Sequence, residues 1–281
     1  MRWLSSRLDS IAGREIDVAQ MWGRVFDLNQ KQLIQLEGFS LYVMPDDYIG
    51  ASIIATQTYE PHVTKVIRGV LSEGDTFLDL GANIGYFSML ASSIVKNDGK
   101  VLAFEPNPQN LQLMYESKIF NKCSNLTIYP YAASDAADIL RFTTVGSNGG
   151  VVSEHSVDQK HYLLVQAVII DEILRNETRI DLIKMDIEAH EPAALKGMEK
   201  LLRRLKPKLI TEFHPWAMRL NHPEPPEDFL MSLEKLDYQL SVILSNGNLG
   251  KISSIEDIMK YWNLLGKETA HLDLFANPIS H

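Results

Sequence analysis

Five polar side chains crowd the second part of one short run, DLIKMDIEAHE (residues 181–191): Lys184, Asp186, Glu188, His190 and Glu191. Alternation along a strand sends every second side chain to one face. Lys184, Asp186 and Glu188 are therefore expected together at a strand mouth, with His190 and Glu191 opening the next helix. A later apolar run ends in the same way, with Glu212 and His214. Such a set can move protons. His190 has the intrinsic pKa of a general base, and Glu188 or Glu191 would orient its ring. Asp186 would hold an ammonium group or an acceptor hydroxyl, and His214 is a second candidate base. Asp, Glu and His in one crevice also resemble a divalent-metal site. No compact ligand motif is present, so a metal is not the favoured reading.

A second constellation lies earlier. In FLDLGANIGYFS (77–88) an apolar run with Asp79 near its end enters a turn carrying Gly81, Asn83 and Gly85. Glycines there let a ligand approach the backbone. A pyrophosphate would be repelled by Asp79, whereas an ammonium or a sulfonium would be attracted. The next apolar run, KVLAF (100–104), ends in Glu105. An acid about 20 positions beyond the turn suits a grip on ribose hydroxyls. Ribose plus a cationic tail describes S-adenosylmethionine better than NAD.

The elements that must position these groups are legible as a pattern. Strands are expected at 76–80, 100–104, 126–131, 180–185 and 207–213, with helical segments between most of them. Ile84, Phe87, Leu90, Ala91 and Ile94 make one apolar helix face, and Leu195, Met198, Leu201, Leu202 and Leu205 another. Strands alternating with helices predict a parallel, doubly wound α/β sheet. Its ligands bind at the carboxyl ends of the strands. An insertion at 138–168 reads as two strands, ILRFTTV and YLLVQAV, joined through the glycine-rich 146–150. Asn246-Gly247-Asn248 signals a hairpin turn, and HLDLFA (271–276) a last strand. The proline-stiffened NHPEPPE (221–227) and the 146–150 link are expected to overhang the crevice. Residues 1–60 read as a helical and strand-like extension, and 61–281 as the catalytic domain.

The chain has 281 residues and a net charge of -9, with no basic block. That gives a nucleic-acid partner little electrostatic support. The single Cys123 excludes an intrachain disulfide and fits a reducing, cytoplasmic compartment. No apolar run is long enough to span a membrane, and the first residues carry no apolar export core.

DLGANIGYFS, FEPNP, DLIKMDIEAHE, the earlier Tyr59-Glu60-Pro61 and the closing DLFANP together resemble the FkbM-type S-adenosylmethionine-dependent methyltransferases, over about residues 38–278. The family's usual run has Gly where Ala189 stands. The resemblance implies a class I methyltransferase sheet with an antiparallel last strand. It also implies O-methylation of a hydroxyl on a sugar, glycan or secondary metabolite. The expected cofactor-binding set is Glu60, Asp79, Gly81, Asn83, Gly85, Glu105, Asn107, Asp135 and Asp186; the expected catalytic set is His190, Glu188, Asp186 and His214. Two other readings are an NAD-type oxidoreductase and a non-catalytic adenosyl-binding domain. Asn83 and Asp79 speak against the first, and the polar set 184–191 against the second.

Overall fold

The computed structural model describes residues 30–145, 147–151, 162–266 and 270–279. The first part of the expected extension, Gly146 and residues 152–161 of the insertion lie outside the described residues. A hairpin of β1 (Gln32–Gln35) and β2 (Ser40–Val43) leads into α1 (Tyr48–Thr56) and α2 (Pro61–Val70). Then come β3 (Thr76–Leu80), α3 (Tyr86–Val95), β4 (Lys100–Phe104), α4 (Pro108–Asn121) and β5 (Leu126–Tyr129). The insertion contributes β6 (Ala132–Ser134), β7 (Ile139–Val145), β8 (Asn148–Val151) and β9 (Leu163–Ile169), ending in the single turn α5 (Ile170–Ile173). The chain continues through β10 (Leu182–Met185), α6 (Glu191–Gly197), α7 (Glu199–Leu205), β11 (Lys208–Phe213), α8 (Pro215–Asn221) and α9 (Pro226–Lys235). It closes with β12 (Tyr238–Ile243), β13 (Leu249–Ile252), α10 (Ile255–Leu264) and β14 (Leu272–Pro278).

The main sheet has the order β13-β12-β14-β11-β10-β3-β4-β5. From β11 to β5 its neighbours are parallel, while β14 runs antiparallel between β11 and β12. Alternation divides the inner strands between two cores. Phe77, Val101, Ala103, Leu182 and Ile210 face the cluster that holds α1 to α4. Leu78, Leu80, Leu102, Phe104, Ile183, Met185 and Leu209 face α6, α7, α9 and α10. Strands covered on both sides must be apolar throughout. Truncating a fully buried leucine such as Leu80 to Ala costs about 2–5 kcal/mol. This is a doubly wound, Rossmann-like sheet with an antiparallel last strand. Leu36, Phe39, Leu41 and Val43 of the extension share a buried cluster with Phe77 and Phe87. The division at residue 60 remains a proposal.

Local chemistry explains where the pattern and the structure part. The third strand ends at Tyr129 rather than 131, because Pro130 has no N–H for the ladder. The chain then steps to the insertion sheet, order β6-β9-β7-β8. The glycine-rich stretch is not only a link: Gly149 and Gly150 pair with Thr144 and Thr143 as part of β8. The apolar face over 195–205 belongs to two short helices that break at Met198. A Cβ on Gly197 would lie 2.0 Å from the Ser134 carbonyl oxygen. The turn at 246–248 joins β12 to the antiparallel β13, with Gly247 at φ 73. NHPEPPE is separated from β11 by α8. Its His222, Glu224, Pro225 and Pro226 line a second groove against Leu195 and Phe229, and His222 Nε2 lies 2.9 Å from the Ala189 carbonyl oxygen.

Candidate functional site

A cavity of about 810 Å³, counting its open mouth, lies at the carboxyl ends of β3, β4 and β10. Gly81, Ala82 and Asn83 form one wall, Glu105 the next, and Lys184, Asp186, Glu188 and His190 another. The insertion closes the cavity with Ser147, Asn148 and Gly149.

The turn after β3 is fixed by its own backbone. The N–H groups of Gly81 and Ala82 both donate to the Phe104 carbonyl at 3.0 Å. A Cβ on Gly81, at φ +80, would stand 1.9 Å from the Asp186 carbonyl oxygen. A Cβ on Gly85 would stand 2.9 Å from the Met114 side chain. The tight approaches at both glycines are thus made by protein, which corrects the expectation that a ligand requires them; Gly81 still lines the cavity and Gly85 does not. Asn83 sits at φ 51, a left-handed conformation that asparagine tolerates.

Glu105 is almost fully buried. It accepts from the N–H of Asn83 and of Asn107, each at 2.8 Å, and from Asn110 Nδ2 at 3.3 Å. Burial pushes its carboxyl up to about 7, against the pull of these donors. Asn107 caps α4 through Gln109 N–H and does not line the cavity. Asp79 does not reach it either. It is fully buried beneath the turn, with Ser88 Oγ donating to Oδ2 at 2.6 Å. Burial raises its pKa to about 6, opposed by Lys184 and Ser88.

The charge on the walls carries the chemical reading. Three acids, Glu105, Asp186 and Glu188, line the cavity against one lysine. That lysine is already committed: Lys184 Nζ lies 2.9 Å from Asp186 Oδ2 and 4.7 Å from the centre of the Phe87 ring. Burial works against its charge, but Asp186, Glu60 and Asp79 hold it above the ordinary lysine range. A cavity with this balance favours a cation bearing hydroxyls. Over residues 79–240, more than half of the chain, the sequence matches the methyltransferase FkbM domain. The chain belongs to the FkbM methyltransferase family.

The cofactor of that family, S-adenosylmethionine, fits the residues present. Glu105 would hold ribose hydroxyls, and the acid-rich wall at Asp186 would face the sulfonium and amino groups. Similar proteins include the hexuronic acid methyltransferase AglP of Haloferax volcanii, 26% identical over 161 residues. That match covers 55% of this chain and 62% of AglP, so the chain spans less than two thirds of that relative. A methyltransferase FkbM from Methylobacillus flagellatus is 20% identical, over 73% of this chain and 44% of that one, with a TM-score of 0.45. An S-adenosylmethionine-dependent O-methyltransferase from Thermotoga maritima is 13% identical, over 90% and 87%, with a TM-score of 0.46. Both overlaps are too loose to bear on the acceptor.

In this FkbM-family chain the strand alternation stops at Met185. Glu188 and Ala189 are left-handed, at φ 56 and 68. The position where the family usually has Gly is thus one where a side chain is strained. Glu188 nevertheless reaches the cavity wall, its pKa raised to about 7 by burial and by Asp186. Neither Glu188 nor Glu191 is the partner of the His190 ring. His190 Nε2 lies 3.0 Å from Ser134 Oγ, and Glu191 turns inward to accept from the Ile187 N–H at 2.8 Å. Burial, then His222, lowers His190 to about 4, against Asp135. The ring thus sits below the intrinsic value of a general base, because desolvation outweighs the one opposing carboxylate, Asp135.

His214 does not line the cavity. Its Nδ1 accepts from Ala217 N–H at 3.3 Å, capping α8, and its ring lies beside those of Trp216 and His271. Glu60 does not line it either, although its neighbour Tyr59 does. Burial raises Glu60 to about 8, opposed by Lys184. Asp135 is likewise off the wall, 3.4 Å from Ser134 Oγ. Asn110 and Ser134 were not singled out from the sequence. Asn110 stands one turn after the Asn107 cap, a faint signal. Nothing in the pattern marks Ser134, which β6 brings to His190, whereas Ser147 lies in the 146–150 stretch expected over the crevice and does line the cavity.

Proposed function

We propose that this protein transfers the methyl group of S-adenosylmethionine to a hydroxyl of a sugar, glycan or secondary metabolite. The observation that carries the reading is His190, uncharged at neutral pH and on the same cavity wall as Asp186 and Glu188. The name of the AglP relative supports a sugar-derived acceptor.

Bound in the cavity, the cofactor would supply an already activated methyl group. The work left to the chain is to align the acceptor and take its proton. Asp135 offers only acceptor atoms when ionised, so Ser134 Oγ–H is set to donate to it. Ser134 Oγ would then accept from His190 Nε2–H. That tautomer leaves the Nδ1 lone pair for the acceptor proton. A base held near 4 is weak. It would take the proton late, as the oxygen–carbon bond forms, and Asp135, the carboxylate that favours the charged ring, would steady the resulting imidazolium. A base in this position contributes about 10²- to 10⁴-fold.

The test uses cofactor labelled with tritium in its methyl group and a panel of glycans and hydroxylated metabolites. Label recovered in an ether supports the reading. Cofactor binding without label transfer to any hydroxyl compound, or label found in a thioether or amine, overturns it.

A further inference from the structure

Behind the Lys184–Asp186 pair lie two further acids, Glu191 and Glu212, that methyl transfer does not use. Asp186, Glu191 and Glu212 each offer a carboxylate oxygen, and these three oxygens lie within 4.8 Å of one another. They come from three elements: the residue after β10, the first residue of α6, and the penultimate residue of β11.

Each carboxylate is pinned by one of its oxygens. Asp186 Oδ2 is held by Lys184 Nζ at 2.9 Å, and Glu191 Oε1 by the Ile187 N–H at 2.8 Å. Glu212 Oε1 lies 3.3 Å from His271 Nδ1. The other oxygens of Glu191 and Glu212 are buried and have no hydrogen-bond partner. Glu191 itself is fully buried. A buried, unpartnered carboxylate oxygen is costly, and two beside each other are more so.

Charge sharpens the point. Burial and the neighbouring acids hold Glu191 and Glu212 above the ordinary carboxylate range, so ionising all three carboxylates against one ammonium would leave two negative charges without a counterpart; Glu188, Asp273 and Glu60 add to the field. A single proton can bridge two oxygens but not three. A divalent ion answers both the convergence and the charge. The donors are all oxygen, with no thiolate or imidazole among the three, which selects a hard cation.

We infer that Asp186, Glu191 and Glu212 form a binding site for one hard divalent cation, magnesium or manganese, adjoining the cavity through Asp186. The site stands on these donors alone and does not depend on which acceptor is methylated. It balances the buried acids and fixes the strand-mouth loop that carries His190.

Manganese chloride, followed by electron paramagnetic resonance of the full chain, tests the site directly. One manganese per chain is expected, displaced by magnesium, together with a rise in Tm on adding either ion. Glu212→Gln should weaken manganese binding about tenfold or more and remove the Tm rise. Glu191→Gln, which keeps an acceptor for the Ile187 N–H, should do the same. Adenosylhomocysteine affinity of Glu212→Gln, measured by calorimetry, should stay near that of the parent, which separates loss of the ion from loss of the fold. Absence of manganese binding at about 1 mM in the parent overturns the site. So does a Glu212→Gln variant that binds manganese as well as the parent does.

Discussion

Two turns at the sheet's carboxyl edge face the same cavity and are built in opposite ways. The turn after β3, from Gly81 to Gly85, spends its polar groups locally. Two of its N–H groups bond the Phe104 carbonyl, a third bonds Glu105, and the buried Glu105 is surrounded by donors. The turn after β10, from Asp186 to Glu191, concentrates acids, and one of them, Glu191, keeps a buried oxygen without a partner, on a backbone with two successive left-handed residues. Closed hydrogen bonding makes the first turn a rigid cradle, prepared before any ligand arrives. The second is costly in the empty protein and is relieved by what it binds. Affinity for the common cofactor is expected to reside in the first, and chemistry and regulation by ions in the second.

The largest expected effect sits in the first turn. Glu105→Ala removes the ribose acceptor and leaves the Asn83 and Asn107 N–H groups without a partner. Hydrogen bonds to a charged group contribute about 1.5–3 kcal/mol each, so cofactor affinity by calorimetry should fall by about 10²-fold or more. The pH profile has a fixed sign. Burial lifts this carboxyl from its ordinary 4.5 to about 7 in the empty protein. Its protonated form therefore stabilises the empty fold below 4.5, and that contribution is lost as pH rises through about 7. Ribose hydroxyls are held by the ionised form, so cofactor affinity should fall as pH drops below about 7. An affinity independent of pH between 5 and 8 would break the assignment of the ribose to Glu105.

In the second turn, His190→Ala should cut kcat by about 10²-fold and leave cofactor affinity unchanged. With His190 held near 4, the parent rate should be flat across neutrality and decline only toward pH 4. A limb near the ordinary histidine value of 6.5 would show that the ring is hydrated during turnover. If His214→Ala proves the damaging variant instead, the base lies elsewhere, against the capping position in which His214 is found.

The same contrast explains how much was legible beforehand. Alternating apolar runs gave β3, β4, β10 and β11 nearly to the residue, because strands buried on both faces admit little else. The Gly81–Glu105 pairing was readable because local sequence makes the turn and register alone brings the acid to it. The second turn was legible in composition but not in geometry. Alternation was carried one step too far, past Met185, since nothing local announces left-handed residues at Glu188 and Ala189. The clustering of Glu212 with Glu191 depends on β11 lying beside β10, a tertiary fact. The Ser134 partner of His190 arrives from an insertion that sequence periodicity cannot orient.

A smaller effect tests how the insertion is held over both turns. Asp47 accepts from the Ser147 N–H at 2.9 Å and from Ser147 Oγ at 2.5 Å, and it also caps α1. The Ser147 carbonyl in turn accepts from Asn83 and Asn110. Ser147→Ala removes one strand of this strap without touching the cap. The acceptor KM should rise several-fold with kcat nearly constant, whereas Asp47→Ala should add a loss of stability of about 1 kcal/mol from the missing cap. Equal effects of both variants on Tm would mean that the strap, not the cap, supports the fold.

The smallest effect is the most direct comparison of the two turns. Gly81 and Ala189 have similar positive φ values, +80 and +68. At Gly81 a side chain meets backbone at 1.9 Å, so Gly81→Ala should be severely destabilising, because the Asp186 carbonyl cannot retreat without unpairing β10. At Ala189 the methyl is already present and fully buried, so only conformation and burial change. Relief of the left-handed strain in Ala189→Gly gains about 1–2 kcal/mol. The extra freedom of glycine in the unfolded chain costs about 0.5–1 kcal/mol, and the lost methyl about 0.8 kcal/mol. These terms nearly cancel, and denaturant unfolding should place Ala189→Gly within about 1 kcal/mol of the parent. Ala189→Val keeps the apolar burial but adds a branch that a left-handed residue does not tolerate, and it should lose clearly more. If valine is accepted as readily as glycine, the loop from Asp186 to Glu191 is not held left-handed in solution. The acid cluster would then lack the fixed backbone on which its convergence depends.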